Sequence, residues 1–142
     1  MQEGSLTITG TFPKTFGAAS TTSTSPSASL ILNGSAIAGT LNGANAGTMI
    51  LTTPDLGANL LLNVSGNPVE WTAGNMSLGS NTLEVGAVTD MTVSGGASRT
   101  ISGGAVVNNG SWTDATGGFT TSLSTAAITN NGTWTLAGQS YA

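Results

Sequence analysis

The chain has 142 residues, enough for one domain with a modest core, and only 6% of them are charged, with Lys+Arg 2, Asp+Glu 6, no His and no Cys. Binding a polyanion needs a cluster of Lys and Arg to release counterions; Lys14 and Arg99 are far apart in sequence, so nucleic acid is excluded as a partner. Without His or Cys there are no catalytic triads, thiolate zinc sites or disulfides, and a hydrophobic content of 38% argues against disorder.

The first predicted element lies in "SLTITGTF", residues 5–12, where Leu6, Ile8 and Phe12 alternate with Thr7 and Thr9. That is a strand pattern. A lone strand of this length is not stable in water, so it either folds back on the main domain or pairs with another chain. Residues 1–17 are therefore read as an anchoring or donor strand, with Leu6, Ile8 and Phe12 as its assembly residues. Met1 reads as an initiator with no basic and apolar leader behind it, which favours assembly from the cytoplasm. Next comes "AASTTSTSPSAS", residues 18–29, a small-polar stretch with one Pro that reads as a Ser/Thr-rich linker. No run in the chain is long enough for a membrane span.

From residue 30 to 142 the hydrophobic residues recur. Ile31, Leu51, Trp71, Met91, Trp112 and Trp134 fall at intervals of about 20–22 residues. Thr follows five of the six, and Leu41, Leu61, Leu83, Ile101 and Leu123 form a second series about midway between them. Asn33-Gly34, Asn42-Gly43, Asn109-Gly110 and Asn131-Gly132 are turn candidates, because Gly and Asn reach left-handed backbone angles cheaply. The pattern predicts an all-β fold, a parallel β-solenoid of about 20–22 residues per coil. Equivalent residues of successive coils then stack about 4.8 Å apart. An antiparallel β-sandwich is the competing architecture, since it too has short, evenly spaced strands. It gives no reason for one register to persist across the units. The facing rule of i and i+2 holds for Met91 with Val93 and for Trp134 with Leu136, but Trp112 has Asp114 at that position.

Candidate chemistry is sparse. Glycoside hydrolysis generally needs two opposed carboxyl groups. Glu70 and Asp90, each just before a ladder residue, are the pair that could stack, as a carboxylate couple or a calcium site. Calcium takes six to eight oxygen ligands, so two solvated acids are the plainer reading and no metal or cofactor is expected. Trp71, Trp112 and Trp134 would stack on sugars if exposed; their register with Leu51 and Ile31 favours a core ladder instead. A single outward Thr per coil is thin for an ice-binding face.

The rungs "VVNNGSWTDA" and "ITNNGTWTLAG" resemble those of the β-helical segments of phage fibres and spikes and of bacterial surface adhesins. The resemblance covers residues 30–142 and is architectural, so it implies no functional residue. It implies rigid display or attachment in an oligomer. The expectation is a non-enzymatic structural subunit of a virion or extracellular surface assembly: a fibre, spike or decoration protein, with a strand-complemented extracellular filament or a carbohydrate-binding adhesin module as alternatives. The expected partners are further copies or other structural proteins of the same particle, with a surface glycan as a third kind.

Overall fold

The computed structural model describes residues 4–9, 14–17, 21–34, 36–115 and 120–137. Every segment that forms regular structure there is a strand, because short runs of alternating apolar and Ser/Thr residues between Gly and Asn corners suit a half-buried pleated surface and give no helical face. The first sheet takes, in spatial order, β1 (Gly4–Ile8), β3 (Ala28–Asn33), β5 (Thr48–Thr52), β7 (Val69–Ala73), β9 (Asp90–Val93), β11 (Ser111–Asp114) and β14 (Thr133–Leu136). The second runs from β2 (Lys14–Phe16) through β4 (Ile37–Asn45), β6 (Leu56–Gly66), β8 (Met76–Val85) and β10 (Arg99–Asn108) to β12 (Thr121–Ser124), with β13 (Ala127–Asn130) paired to the far half of β10. All of these pairings are parallel. The chain is a β-solenoid of about six turns with coils of ~22 residues, and the described residues are 71% strand with no helix among them. No helix among the described residues is long and apolar enough to cross a membrane.

Three columns of inward positions run through the whole stack, beside a shorter one of Leu41, Leu62, Val85 and Asn108 on the second sheet. The first is Leu6, Leu30, Met49, Val69, Met91, Trp112 and Trp134. The second is Ile8, Leu32, Leu51, Trp71, Val93, Asp114 and Leu136. The third, on the second sheet, is Phe16, Gly39, Leu60, Leu83, Val106 and Ile128. Between their ends the columns supply most of one continuous buried core.

The predicted single ladder is thereby corrected. Ile31 stands opposite Thr7 and Ile50 on the outer face, while its neighbours Leu30 and Leu32 are buried. Leu51 and Trp71 belong to the second column, and Met91, Trp112 and Trp134 to the first. Trp71 stands on Val93 and Val69 on Met91, so the coil between them is longer than a constant spacing of 20 assumes. Leu61 likewise points outward, between buried Leu60 and Leu62.

The N-terminal expectation also changes. The predicted anchor is the first rung of its own solenoid: β1 pairs with β3 from Gly4↔Ala28 to Ile8↔Leu32. Phe12 lies outside the described residues. The segment read as a linker is held as well. Thr22 and Thr24 donate their backbone N–H to Asn42 and Ala44, and the buried Thr24 hydroxyl donates to Asn45 Oδ1 at 2.6 Å. Pairing through the backbone asks nothing of side chains beyond small size, so this composition hides it.

The Asn-Gly corners have two different causes. Gly34 has φ 97°, the left-handed conformation expected of it. Gly110 and Gly132 keep ordinary backbone angles, and their reason is close approach. A Cβ on Gly132 would lie 2.0 Å from the carbonyl oxygen of Gly110, and one on Gly110 would lie 2.3 Å from that of Thr89. Flanking asparagines bond from coil to coil, Asn131 Nδ2 to Asn109 Oδ1 at 2.9 Å and Asn108 Nδ2 to Asn130 Oδ1 at 2.7 Å. The expected effect of Gly110→Ala is therefore steric, a loss of about 1–3 kcal/mol, read as a lower urea midpoint with unchanged m-value.

Candidate functional site

The acidic residues do not assemble. Glu70 stands opposite Thr92, and Asp90 opposite Ser111, so the two acids are offset by two positions and do not stack, in keeping with the plainer reading of two separate acids. Glu70 Oε2 instead accepts from the Ser94 hydroxyl at 3.4 Å. Glu84 Oε1 accepts from Asn109 Nδ2 at 2.8 Å, which places it in the polar ladder of the outer face. Among the described residues no three His, Cys, Asp or Glu side chains come close enough to share a metal ion.

The tryptophans are core. Trp71 and Trp112 are 0% exposed, so neither ring can offer a face to a sugar. Trp134, partly buried, stacks on Trp112 with ring centroids 4.7 Å apart and planes at 14°. That distance is the strand spacing itself: in-register parallel strands put identical side chains one rung apart, and flat rings fill the gap. Trp71 Nε1 donates to the carbonyl of Ala73 at 3.0 Å, whereas Trp112 Nε1 is buried with no acceptor among the described residues.

A cluster that the sequence did not suggest lies inside the solenoid. Asp114 occupies a rung of the second column between Val93 and Leu136 and is 0% exposed. Its Oδ2 accepts a hydrogen bond from the buried Thr121 hydroxyl. Arg99, only 2% exposed, enters from the second sheet. Its Nη2 donates to the carbonyls of Thr72 and Ser94, and its guanidinium carbon sits 5.4 Å from the Trp71 ring centroid. Burial lowers the Arg99 pKa from its ordinary value, and the charge of Asp114 opposes that shift. The two charges thus share one buried region, Asp114 bonded to Thr121 and Arg99 to main-chain carbonyls, while Arg99 Nε and Nη1 have no hydrogen-bond partner among the described residues. The departure from the facing rule at Trp112 and Asp114 was the visible signal, but its partner Arg99 lies on the other sheet, where no local spacing points to it.

Two depressions open on the surface of the described residues. A depression of about 350 Å³ lies along the outer face of the second sheet beside Asn59, Leu61, Thr82 and Glu84. At the C-terminal end of the described coils an apolar one of about 280 Å³ is lined by Leu123, Ile128, Asn130, Trp134 and Leu136. Leu6, expected from the sequence to serve assembly, is 45% exposed at the opposite end, and Ile8 is half-buried.

Two sets of variants separate the roles of these groups. Trp112→Ala is expected to cost about 3–5 kcal/mol by opening a core cavity, while Trp112→Phe, which keeps a ring against Trp134 and discards the unpaired N–H, costs under about 2 kcal/mol; equilibrium denaturation measures both. Arg99→Leu should cost about 3–5 kcal/mol because it leaves the Asp114 charge buried and unpaired. The triple variant Arg99→Leu, Asp114→Val, Thr121→Val removes that charge and its hydroxyl partner together. It is expected to recover at least half of the loss.

Comparison with protein-family models, with curated proteins and with solved structures finds no match.

Proposed function

We propose that this chain is a non-enzymatic structural subunit of a surface assembly, a rigid rod segment of a virion fibre, spike or decoration. The observation that carries this reading is how its polar groups are used. The Asn42–Asn63 and Asn109–Asn131 side-chain bonds, the Thr24–Asn45 bond and the buried Arg99 cluster each tie one coil to another. Side-chain ladders of this kind resist bending and shear along the axis; they converge on no reacting atom. The carboxyl groups that sugar chemistry would require stand apart, and the one buried acid is occupied with Thr121. An outer surface of Thr, Ser and Asn, nearly free of charge, suits a component that displays or spaces rather than one that steers a charged ligand. An extracellular filament subunit uses the same physics and is the second form of this reading.

The experiment is localisation on the intact particle. Antibody raised against the folded chain, applied with gold label to virions and cells of the source, is expected to decorate fibres, spikes or surface filaments. Label confined to soluble material, or release of reducing ends from polysaccharide by the purified protein, overturns the proposal.

A further inference from the structure

Asn-Gly is a dipeptide at which a polypeptide readily modifies itself. The glycine nitrogen loses its proton to water and attacks the asparagine side-chain carbonyl carbon; a C–N bond forms and ammonia leaves. Water then opens the resulting succinimide at one carbonyl or the other, giving aspartate or isoaspartate. Glycine favours the attack because it has no β-carbon to hinder the approach. The chain contains four such dipeptides, Asn33-Gly34, Asn42-Gly43, Asn109-Gly110 and Asn131-Gly132.

The fold cannot exchange these glycines for residues that would slow the reaction. Gly34 takes φ 97°. A β-carbon on Gly43, Gly110 or Gly132 would collide with the carbonyl oxygen of Thr22, Thr89 or Gly110 respectively. Protection has to come from the asparagine instead, and all four amides are bonded to another coil. Thr53 Oγ1 donates to Asn33 Oδ1 at 3.0 Å, and Asn63 Nδ2 to Asn42 Oδ1 at 2.9 Å. Asn131 Nδ2 donates to Asn109 Oδ1 at 2.9 Å, and Asn109 Nδ2 to Glu84 Oε1 at 2.8 Å.

Asn109 is held hardest. Both ends of its amide are engaged, and one bond goes to a carboxylate, which makes it roughly twice as strong as a neutral bond. To cyclise, the amide has to leave Glu84 and turn toward its own main chain. While the bond lasts, the carboxylate also pushes electron density into the amide, so its carbonyl carbon is a poorer target. The main chain is fixed on both sides of the reacting peptide as well. The N–H of Asn109 donates to the Val85 carbonyl at 2.8 Å, and that of Ser111 to the Thr89 carbonyl at 3.0 Å. Isoaspartate would lengthen the chain between those two bonds by one carbon, and aspartate would set a second carboxylate against Glu84.

We infer that Asn109-Gly110 is a latent modification site, a deamidation site that the fold keeps shut, and that Glu84 is its latch. The inference goes beyond the structural-subunit reading and does not depend on it.

The test incubates the whole purified chain at mildly alkaline pH and follows conversion of amide to acid at each of the four asparagines by tandem mass spectrometry. Circular dichroism and thermal melting first establish that Glu84→Ala and Glu84→Gln remain folded. In urea-unfolded chain the four sites should react at comparable rates, whichever residue stands at position 84. In the folded wild type Asn109 should be the slowest of them. Glu84→Ala should speed Asn109 on the order of 10-fold, the worth of a lost bond to a charged group, while Asn33 and Asn42 keep their rates. Glu84→Gln keeps the acceptor oxygen and loses its charge, so it should speed Asn109 roughly 3-fold. Being isosteric, it keeps the test decisive should Glu84→Ala fail to fold. An Asn109 rate that neither variant raises overturns the inference. So does an equal rise at all four sites, which reports a general loosening of the stack and no latch.

Discussion

The structure depends on one constraint, the repeat distance of parallel backbone hydrogen bonds. Once a coil is paired to the coil beneath it, each side chain has its counterpart about 4.8 Å away and has no other place to go. Identical or similar groups then win over merely apolar ones. Trp112 finds Trp134 at the stacking distance of two rings, Asn131 finds the amide oxygen of Asn109, and Leu32 finds Leu51. The same distance forbids a β-carbon at Gly110 and Gly132, where one coil's corner sits over the carbonyl of another. Core, surface ladder and corner chemistry are thus three results of a single spacing.

The buried charges illustrate the limit of that economy. A parallel stack satisfies backbone groups and like side chains by translation, but a carboxylate inside has no neighbour of its own kind that it can tolerate. Asp114 is held by the Thr121 hydroxyl, and the Arg99 charge from the opposite sheet acts on the same region. Such a pair adds little net stability relative to apolar residues of similar size, since desolvation offsets most of the attraction.

The architecture was legible in the sequence because a solenoid writes its period there, and six apolar residues at near-constant spacing are hard to read otherwise. The facing was less so. Side chains alternate with a period of two, so an error of one residue inverts a strand. Ile31 was assigned inward on the strength of a constant interval, and the coil from Leu32 to Leu51 is too short for it. The Ser/Thr-rich stretch near the N-terminus was illegible for a different reason. Its hydrogen bonds to Asn42 and Ala44 are made by main chain, and main chain has no composition. Of the candidate site, the Trp ladder could be read in part, whereas the meeting of Arg99 with Asp114 requires knowing how the two sheets face each other.

Pairing between successive strands is interrupted at a few places: Leu51/Thr52 in the first sheet, Ile37/Gly39 and Ser102/Gly103 in the second. The facing strand carries one extra residue at Leu51/Thr52, two at Ile37/Gly39, and one at each of two successive steps, Ser102/Gly103 and Gly103/Ala105. A stack in which every coil had to contain the same number of residues would be broken by any single-codon insertion or deletion. Here the odd residue has somewhere to go, and the columns resume their facing beyond it. These irregularities therefore work as expansion joints, letting coils of different length share one parallel stack.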